Sequence, residues 1–246
     1  MSDLANQGSG RQPSRLFVPW GVRDVILGLL MAAALVPVLT FALVVLLGVL
    51  QAFPVRGLDN LPTSLVLLGE VALFVPVWYL GVRKHRTDWT SVGFRSFRLV
   101  PALTLAGLSM AFSMGFNLLW SLVLAPFGLQ AQPDLAPLLG SQGFSLPILL
   151  LSAGLIAPLA EEAFFRGFVY AGLRSRLSVP WAVLASAALF SAAHLLPTTM
   201  PPLFVLGALF ALLYEYTGSI WPAIALHVLT NTAALLVASL LASATV

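Results

Sequence analysis

Residues 155–170 read LIAPLAEEAFFRGFVY, and they place Glu161, Glu162 and Arg166 inside an apolar run from Pro147 to Leu173. A run of that length can cross a bilayer, whose hydrocarbon core of about 30 Å needs about 20 helical residues. Each carboxylate or guanidinium at mid-bilayer costs on the order of 2.5–3.5 kcal/mol on insertion scales, so ionisable groups at that depth are candidates for function. Whether the run is a membrane helix is decided by the rest of the chain.

The chain has 246 residues, of which 59% are hydrophobic and 9% charged. A soluble domain carries about a quarter charged residues, and a soluble chain of this composition would expose large apolar patches and precipitate. Seven apolar segments follow one another, at roughly 25–51, 64–82, 99–127, 147–173, 179–196, 202–217 and 220–243. They predict an all-α, polytopic transmembrane bundle. The expected organisation is a disordered cytoplasmic tail over 1–22 and one transmembrane helical domain over 23–246, with the catalytic core at about 147–243. The prolines of PTTMPP (197–202) forbid a helix throughout that turn.

There are no cysteines, which excludes disulfides, thiolate catalysis and cysteine-ligated metals. The net charge of +3 comes mainly from basic residues flanking the apolar segments. It is read as topology and lipid contact, not as nucleic-acid binding. Arg11, Arg15 and Arg23 precede the first segment. Arg83, Lys84, Arg86, Arg95 and Arg98 follow the second, and Arg174 and Arg176 follow the fourth. The intervening loops hold only Arg56, Asp59 and Asp134. Every basic cluster thus falls on one side, which predicts a cytoplasmic N-terminus; a cell (plasma) membrane of bacterial type is the expected location. The stretch DWTSVGFRSFR (88–98) mixes aromatic and basic residues in the manner of a segment lying at the inner interface.

The ionisable groups inside the apolar segments are Glu70, Glu161, Glu162, Arg166, His194 and His227. Glu162 and Arg166 are four apart and share a helical face, whereas Glu161 lies roughly 140° from Arg166. Arg166 therefore neutralises Glu162 and leaves Glu161 unpaired, which suits Glu161 to take a proton from water as a general base. FSAAH (190–194) puts Phe190 and His194 on one face, and HVLTN (227–231) does the same for His227 and Asn231. An imidazole and an amide aimed at one point can polarise a carbonyl and stabilise an oxyanion. Ser191, three residues before His194, leaves a serine nucleophile open by spacing, although direct attack by water uses Glu161 better. Glu70 stands alone in its segment and is read as the partner of a nearby polar group. Small residues in ASAALFSAAH (185–194) favour close helix approach.

EEAFFR fits an EExxxR motif, FSAAH an FxxxH motif and HVLTN an HxxxN motif, in that order and in late apolar helices. In this the chain resembles the CPBP intramembrane proteases, the group of the Ras-converting CAAX endoproteases and of bacterial abortive-infection and bacteriocin-immunity proteins. The resemblance spans roughly 161–231, and the DWTSVGF stretch resembles a segment that often precedes the core in this family. It implies hydrolysis of a peptide bond in a membrane-embedded or lipidated protein or peptide. Glu161 would activate water with help from His194, His227 and Asn231 would form the oxyanion hole, and Glu162 and Arg166 would support the site.

The family is often labelled metalloprotease. A zinc ion would need Glu161 or Glu162, His194 and His227 converging from three helices with water as fourth ligand; a metal-free glutamate mechanism is equally permissible, and the residues lean slightly toward it. The resemblance also implies eight spans and a cavity open to the cytosol. Here seven segments are counted, and the loop charges put His194 about 20 Å or more from the inner end. A non-proteolytic membrane protein that binds partners, and less readily a proton-coupled transporter, are the alternatives.

Overall fold

The computed structural model describes residues 16, 18–52, 63–132 and 146–244. All seven apolar segments are helical, and there is no strand among the described residues. Helix α1 is Val22–Ala52. Helix α2 covers 63–83 and changes pitch along its length, from 3₁₀ turns (Thr63–Leu73) through one α turn (Phe74–Pro76) to π turns (Val77–Arg83). A single turn, α3 (Trp89–Val92), precedes α4 (Leu99–Leu124). Helix α5 is Leu146–Arg174, α6 Val179–Ala193, α7 Met200–Thr217 and α8 Trp221–Ala244. Five of these are long and apolar enough to cross a membrane: α1, α4, α5, α7 and α8. Arg11, Arg15, Arg56, Asp59 and Asp134 lie outside the described residues.

The bundle is built around α5. Ala160, Ala163, Phe168, Val169 and Tyr170 are fully buried, whereas α1 and α4 turn Phe41, Val100, Leu118 and many other large apolar side chains outward. In water such a surface would drive association; in hydrocarbon it is simply solvated. The protein is therefore an integral membrane protein. Its inner helix is held by close approaches. A Cβ at Gly167 would lie 2.4 Å from Cγ1 and 2.5 Å from the carbonyl oxygen of Val92, so α3 rests directly on the α5 backbone. The small residues of α6 do let a neighbour in: the Cβ position of Gly207 on α7 comes 3.2 Å from Cα of Ala187. Met200 opens α7 two residues earlier than the prolines suggest. Pro201 and Pro202 sit in the first turn, where the missing N–H groups have no intrahelical partner to lose.

The basic residues gather at one end. Lys84 and His85, beyond the end of α2, contact Asp24 at the start of α1. Arg174, closing α5, forms two hydrogen bonds to Glu215 near the end of α7, at 3.2 and 3.1 Å. The 88–98 segment closes the same end: the Asp88 carboxylate caps α3 by accepting from the N–H of Thr90, the hydroxyl of Tyr214 donates to the Val92 carbonyl, and the N–H of Ile220 donates to Gly93. Gly93 holds φ at +110°, where a side chain would also strike Tyr214. Trp20, placed by the sequence in the tail, is instead buried, and its indole N–H donates to the Phe168 carbonyl at 2.9 Å. Leu16 and Val18 are buried as well, and Val22 already opens α1; of the expected tail, residues 1–15 and 17 lie outside the described residues.

The opposite end carries no described Lys, Arg, Asp or Glu. It is closed by the turn between α6 and α7, where the Ser191 hydroxyl donates to Met200 at 2.6 Å and the Trp120 indole donates to Thr198 at 2.7 Å. Helix α6 has 15 residues, a rise of about 22 Å, shorter than a hydrocarbon core of about 30 Å.

Candidate active site

Glu161 and Glu162 of α5 sit between two stretches of π turns, Ser152–Ile156 and Ala163–Tyr170, and Arg166 lies in the second. Widened turns of this kind redirect side chains and recur at functional sites. Glu162 and Arg166 still meet, with Nη1 3.0 Å from Oε1 and both side chains fully buried. The contact is an ion pair without hydrogen-bond alignment; the guanidinium donates instead from Nη2 to the carbonyl of Gly207 at 3.2 Å. Three aromatic rings complete its surroundings, Phe190 at 4.3 Å, Phe210 at 4.9 Å and Phe165 at 6.0 Å, which replaces part of the hydration a buried cation loses.

Glu162 has a second partner that its sequence neighbourhood does not reveal. Nδ1 of His227 lies 2.9 Å from the same Oε1. A carboxylate only accepts, so Nδ1 carries the proton, and in the neutral ring Nε2 is left bare. That bare nitrogen is 3.9 Å from Oε2 of Glu161. Glu161 itself is 8% exposed, and its Oε2 is buried without a hydrogen-bond partner. Spacing along α5 thus assigned Glu162 to Arg166 and left Glu161 free, and the fold keeps both features while adding His227 between them.

His194 ends α6. Its Nδ1 donates to the Phe190 carbonyl at 2.9 Å, four residues back, so its Nε2 is also the free nitrogen. The Phe190 ring joins the two imidazoles, edge-on to His194 at 5.0 Å and to His227 at 5.8 Å. His227 is further clamped by stacking on Phe210 at 4.8 Å. Asn231 uses one amide hydrogen on the Ala153 carbonyl at 3.0 Å, in the first set of π turns, and keeps the other. Ser191 is buried with its hydroxyl committed to Met200, so it is not presented as a nucleophile. Glu70, which sequence reasoning set aside, lies against Glu161 from α2 and also faces His194; its Oε2 is likewise buried and unpartnered. Its position about two turns into an apolar helix was the available signal.

The zinc reading can be tested on these donors. Among the described residues no three His, Asp or Glu side chains gather closely enough to hold a metal ion. Nδ1 of each histidine is engaged, one by Glu162 and one by Phe190, which leaves Nε2 as the nitrogen a metal would take. It is the separation of Glu161, His194 and His227, not the state of their nitrogens, that keeps them from forming a converging ligand set in this arrangement.

A cavity of about 830 Å³ reaches this cluster at His194, Thr230 and Asn231. Its walls come from α4 (Met110, Asn117), the 130–132 stretch, the α6–α7 turn, α7 and the far half of α8.

The same part of the chain is similar to known proteins. Residues 143–233 match the family model described as "Type II CAAX prenyl endopeptidase Rce1-like". A relative from Bacillus subtilis (strain 168), named "Putative membrane peptidase YdiL", is 27% identical over 88 residues, which cover 36% of this chain and 36% of that protein. The chain thus matches about a third of the relative's length. No solved structure matches it. Residues 143–233, with EEAFFR, FSAAH and HVLTN all inside them, are similar to the Rce1-like family model, in agreement with the resemblance that the three motifs carry.

Proposed function

We propose that the protein is an intramembrane endopeptidase that hydrolyses a peptide bond in a membrane-embedded or lipidated polypeptide, with Glu161 activating water. One observation carries the reading: an unpartnered Glu161 carboxyl oxygen faces the bare nitrogen of an imidazole whose orientation is fixed by Glu162. Water within about 2.6–3.2 Å of Glu161 Oε2 loses a proton to it as the oxygen bonds to the substrate carbonyl carbon. The carbonyl electrons move to oxygen, and that oxyanion accepts from the free amide hydrogen of Asn231 and from His227 when its Nε2 is protonated, with Glu162 balancing the imidazolium. Glu161 then returns its proton to the departing nitrogen as the C–N bond breaks. His194, at the cavity wall, accepts from water or substrate through Nε2.

The Rce1-like match supports a protease and the printed name of the relative supports a membrane peptidase; the glutamate mechanism rests on the geometry. Purified wild type and Glu161→Gln, compared on membrane-protein substrates identified by terminal proteomics, test it. Turnover is expected to vanish in the variant, and undiminished turnover would remove Glu161 from the mechanism.

A further inference from the structure

The surface between α2 and α8 carries a groove of about 590 Å³ that takes no part in the proposed chemistry. Four parts of the chain build it: Phe74 and Trp78 of α2, Trp89 of α3 with Phe94 just beyond it, Leu159 of α5, and Trp221, which opens α8. One wall is a continuous row of rings. Phe74 meets Trp89 edge-on at 6.1 Å, Trp89 meets Phe94 at 5.8 Å, and Phe94 meets Trp221 at 5.3 Å. Each ring fixes the next, so the row is a built surface and not a scatter of interfacial aromatics.

One end of the groove has a basic rim. The π turns of Val77–Arg83 close on the fifth residue, which returns Arg83 over Trp78, with its guanidinium carbon 5.4 Å from the ring centre. Arg95 directly follows Phe94. Both arginines are exposed, and neither forms an ion pair among the described residues. The acid of this rim, Asp88, is engaged in capping α3 through Thr90.

Lining and rim together describe one class of ligand. The side chains of the groove offer no acceptor and no charge, so an extended polypeptide laid there would leave its N–H groups unsatisfied in hydrocarbon. A hydrocarbon chain has no such need. Val71, at the deep end, stands twelve positions before Arg83, a rise of about 18 Å, close to one leaflet of a hydrocarbon core of about 30 Å. A guanidinium at the head of such a slot matches a phosphate.

We propose that the groove binds an anionic phospholipid, with an acyl chain along the rings and the headgroup phosphate on Arg83. The site rests on geometry and charge and is independent of the peptidase reading. Leu159 is two residues from Glu161 and Val71 adjoins Glu70, so the bound chain presses α2 onto α5 behind those carboxyls.

Native mass spectrometry of the delipidated full chain, titrated with phosphatidylglycerol or with phosphatidylcholine of identical acyl chains, tests this. The first phosphatidylglycerol is expected to bind about fivefold tighter or more, and Arg83→Gln should lose most of that difference. Val75→Trp fills the groove from a wall position that is 43% exposed, and it should weaken the first binding of both lipids. Phosphatidylglycerol should also raise the unfolding temperature of wild type more than that of Val75→Trp. Equal binding of the two lipids by wild type, or undiminished phosphatidylglycerol binding by Val75→Trp, would overturn the proposal. Displacement of bound phosphatidylglycerol by a palmitoylated peptide at lower concentration than by phosphatidylcholine would assign the groove to a substrate's anchor instead.

Discussion

His227 Nδ1 lies 2.9 Å from Oε1 of Glu162, and Arg166 approaches that same oxygen to 3.0 Å. One carboxylate thereby fixes an imidazole from α8 and a guanidinium from its own helix. Glu162 is more than a neutralising partner: it determines which nitrogen of His227 faces Glu161.

Removing Glu162 should therefore cost both fold and activity. Glu162→Ala leaves Arg166 as an uncompensated buried charge, worth about 3–5 kcal/mol of stability. The double variant Glu162→Leu/Arg166→Met should recover much of that loss, because a buried pair replaced by apolar groups is often near neutral. It should stay inactive, since His227 is then free to turn. Thermal unfolding in detergent and a cleavage assay separate the two effects; a stable and active double variant would refute the orienting role.

Glu161→Gln should behave in the opposite way. Its Oε2 has no hydrogen-bond partner to lose, so the unfolding temperature should stay near that of wild type. Loss of a general base should lower kcat by about 10²–10⁴-fold.

Glu70→Gln isolates the carboxyl that lies against Glu161. The amide keeps the shape and removes a carboxyl beside the proposed base, so kcat should change while the protein remains folded. An unchanged kcat would return Glu70 to a packing role.

Phe190 touches both imidazoles and the Arg166 guanidinium. Phe190→Ala should destabilise by about 3–5 kcal/mol, as for other buried aromatic truncations. Phe190→Leu should restore most of the packing but not the cation–ring contact, giving a folded enzyme with reduced kcat. Equal activity in Phe190→Leu and wild type would show that the ring acts through volume alone.

Gly167→Ala should loosen the 88–98 segment, because the added Cβ meets the Val92 backbone and cannot be relieved by a side-chain rotation. Overpacking of this kind costs about 1–3 kcal/mol. Faster hydrogen exchange in the α3 segment would register it.

Hydropathy made the seven helices legible, and four-residue spacing made the Glu162–Arg166 pair legible, because both are properties of a single segment. What sequence could not show depends on which helices become neighbours. His227 is 65 residues from Glu162 and reaches it only because α8 crosses α5 beside the Phe210 ring. Glu70 looked solitary for the same reason. Ser191 kept its nucleophile spacing, yet a carbonyl across the α6–α7 turn claims its hydroxyl. Trp20 falls in the expected tail because it precedes the first long apolar run, and only its long-range packing under Phe168 reveals that it is buried. The changing pitch of α2 and α5 has no sequence signature that helix propensity would reveal.

The brevity of α6 has a consequence for the lipids. A helix about 8 Å shorter than a hydrocarbon slab is a mismatch that a thinned leaflet or sunken headgroups beside the α6–α7 turn would relieve, at a cost that grows with each ångström. On the proposed peptidase reading, acyl-chain length should then alter the activity: thick bilayers should resist the dimple and shut out the water that hydrolysis consumes, and thin ones should favour it.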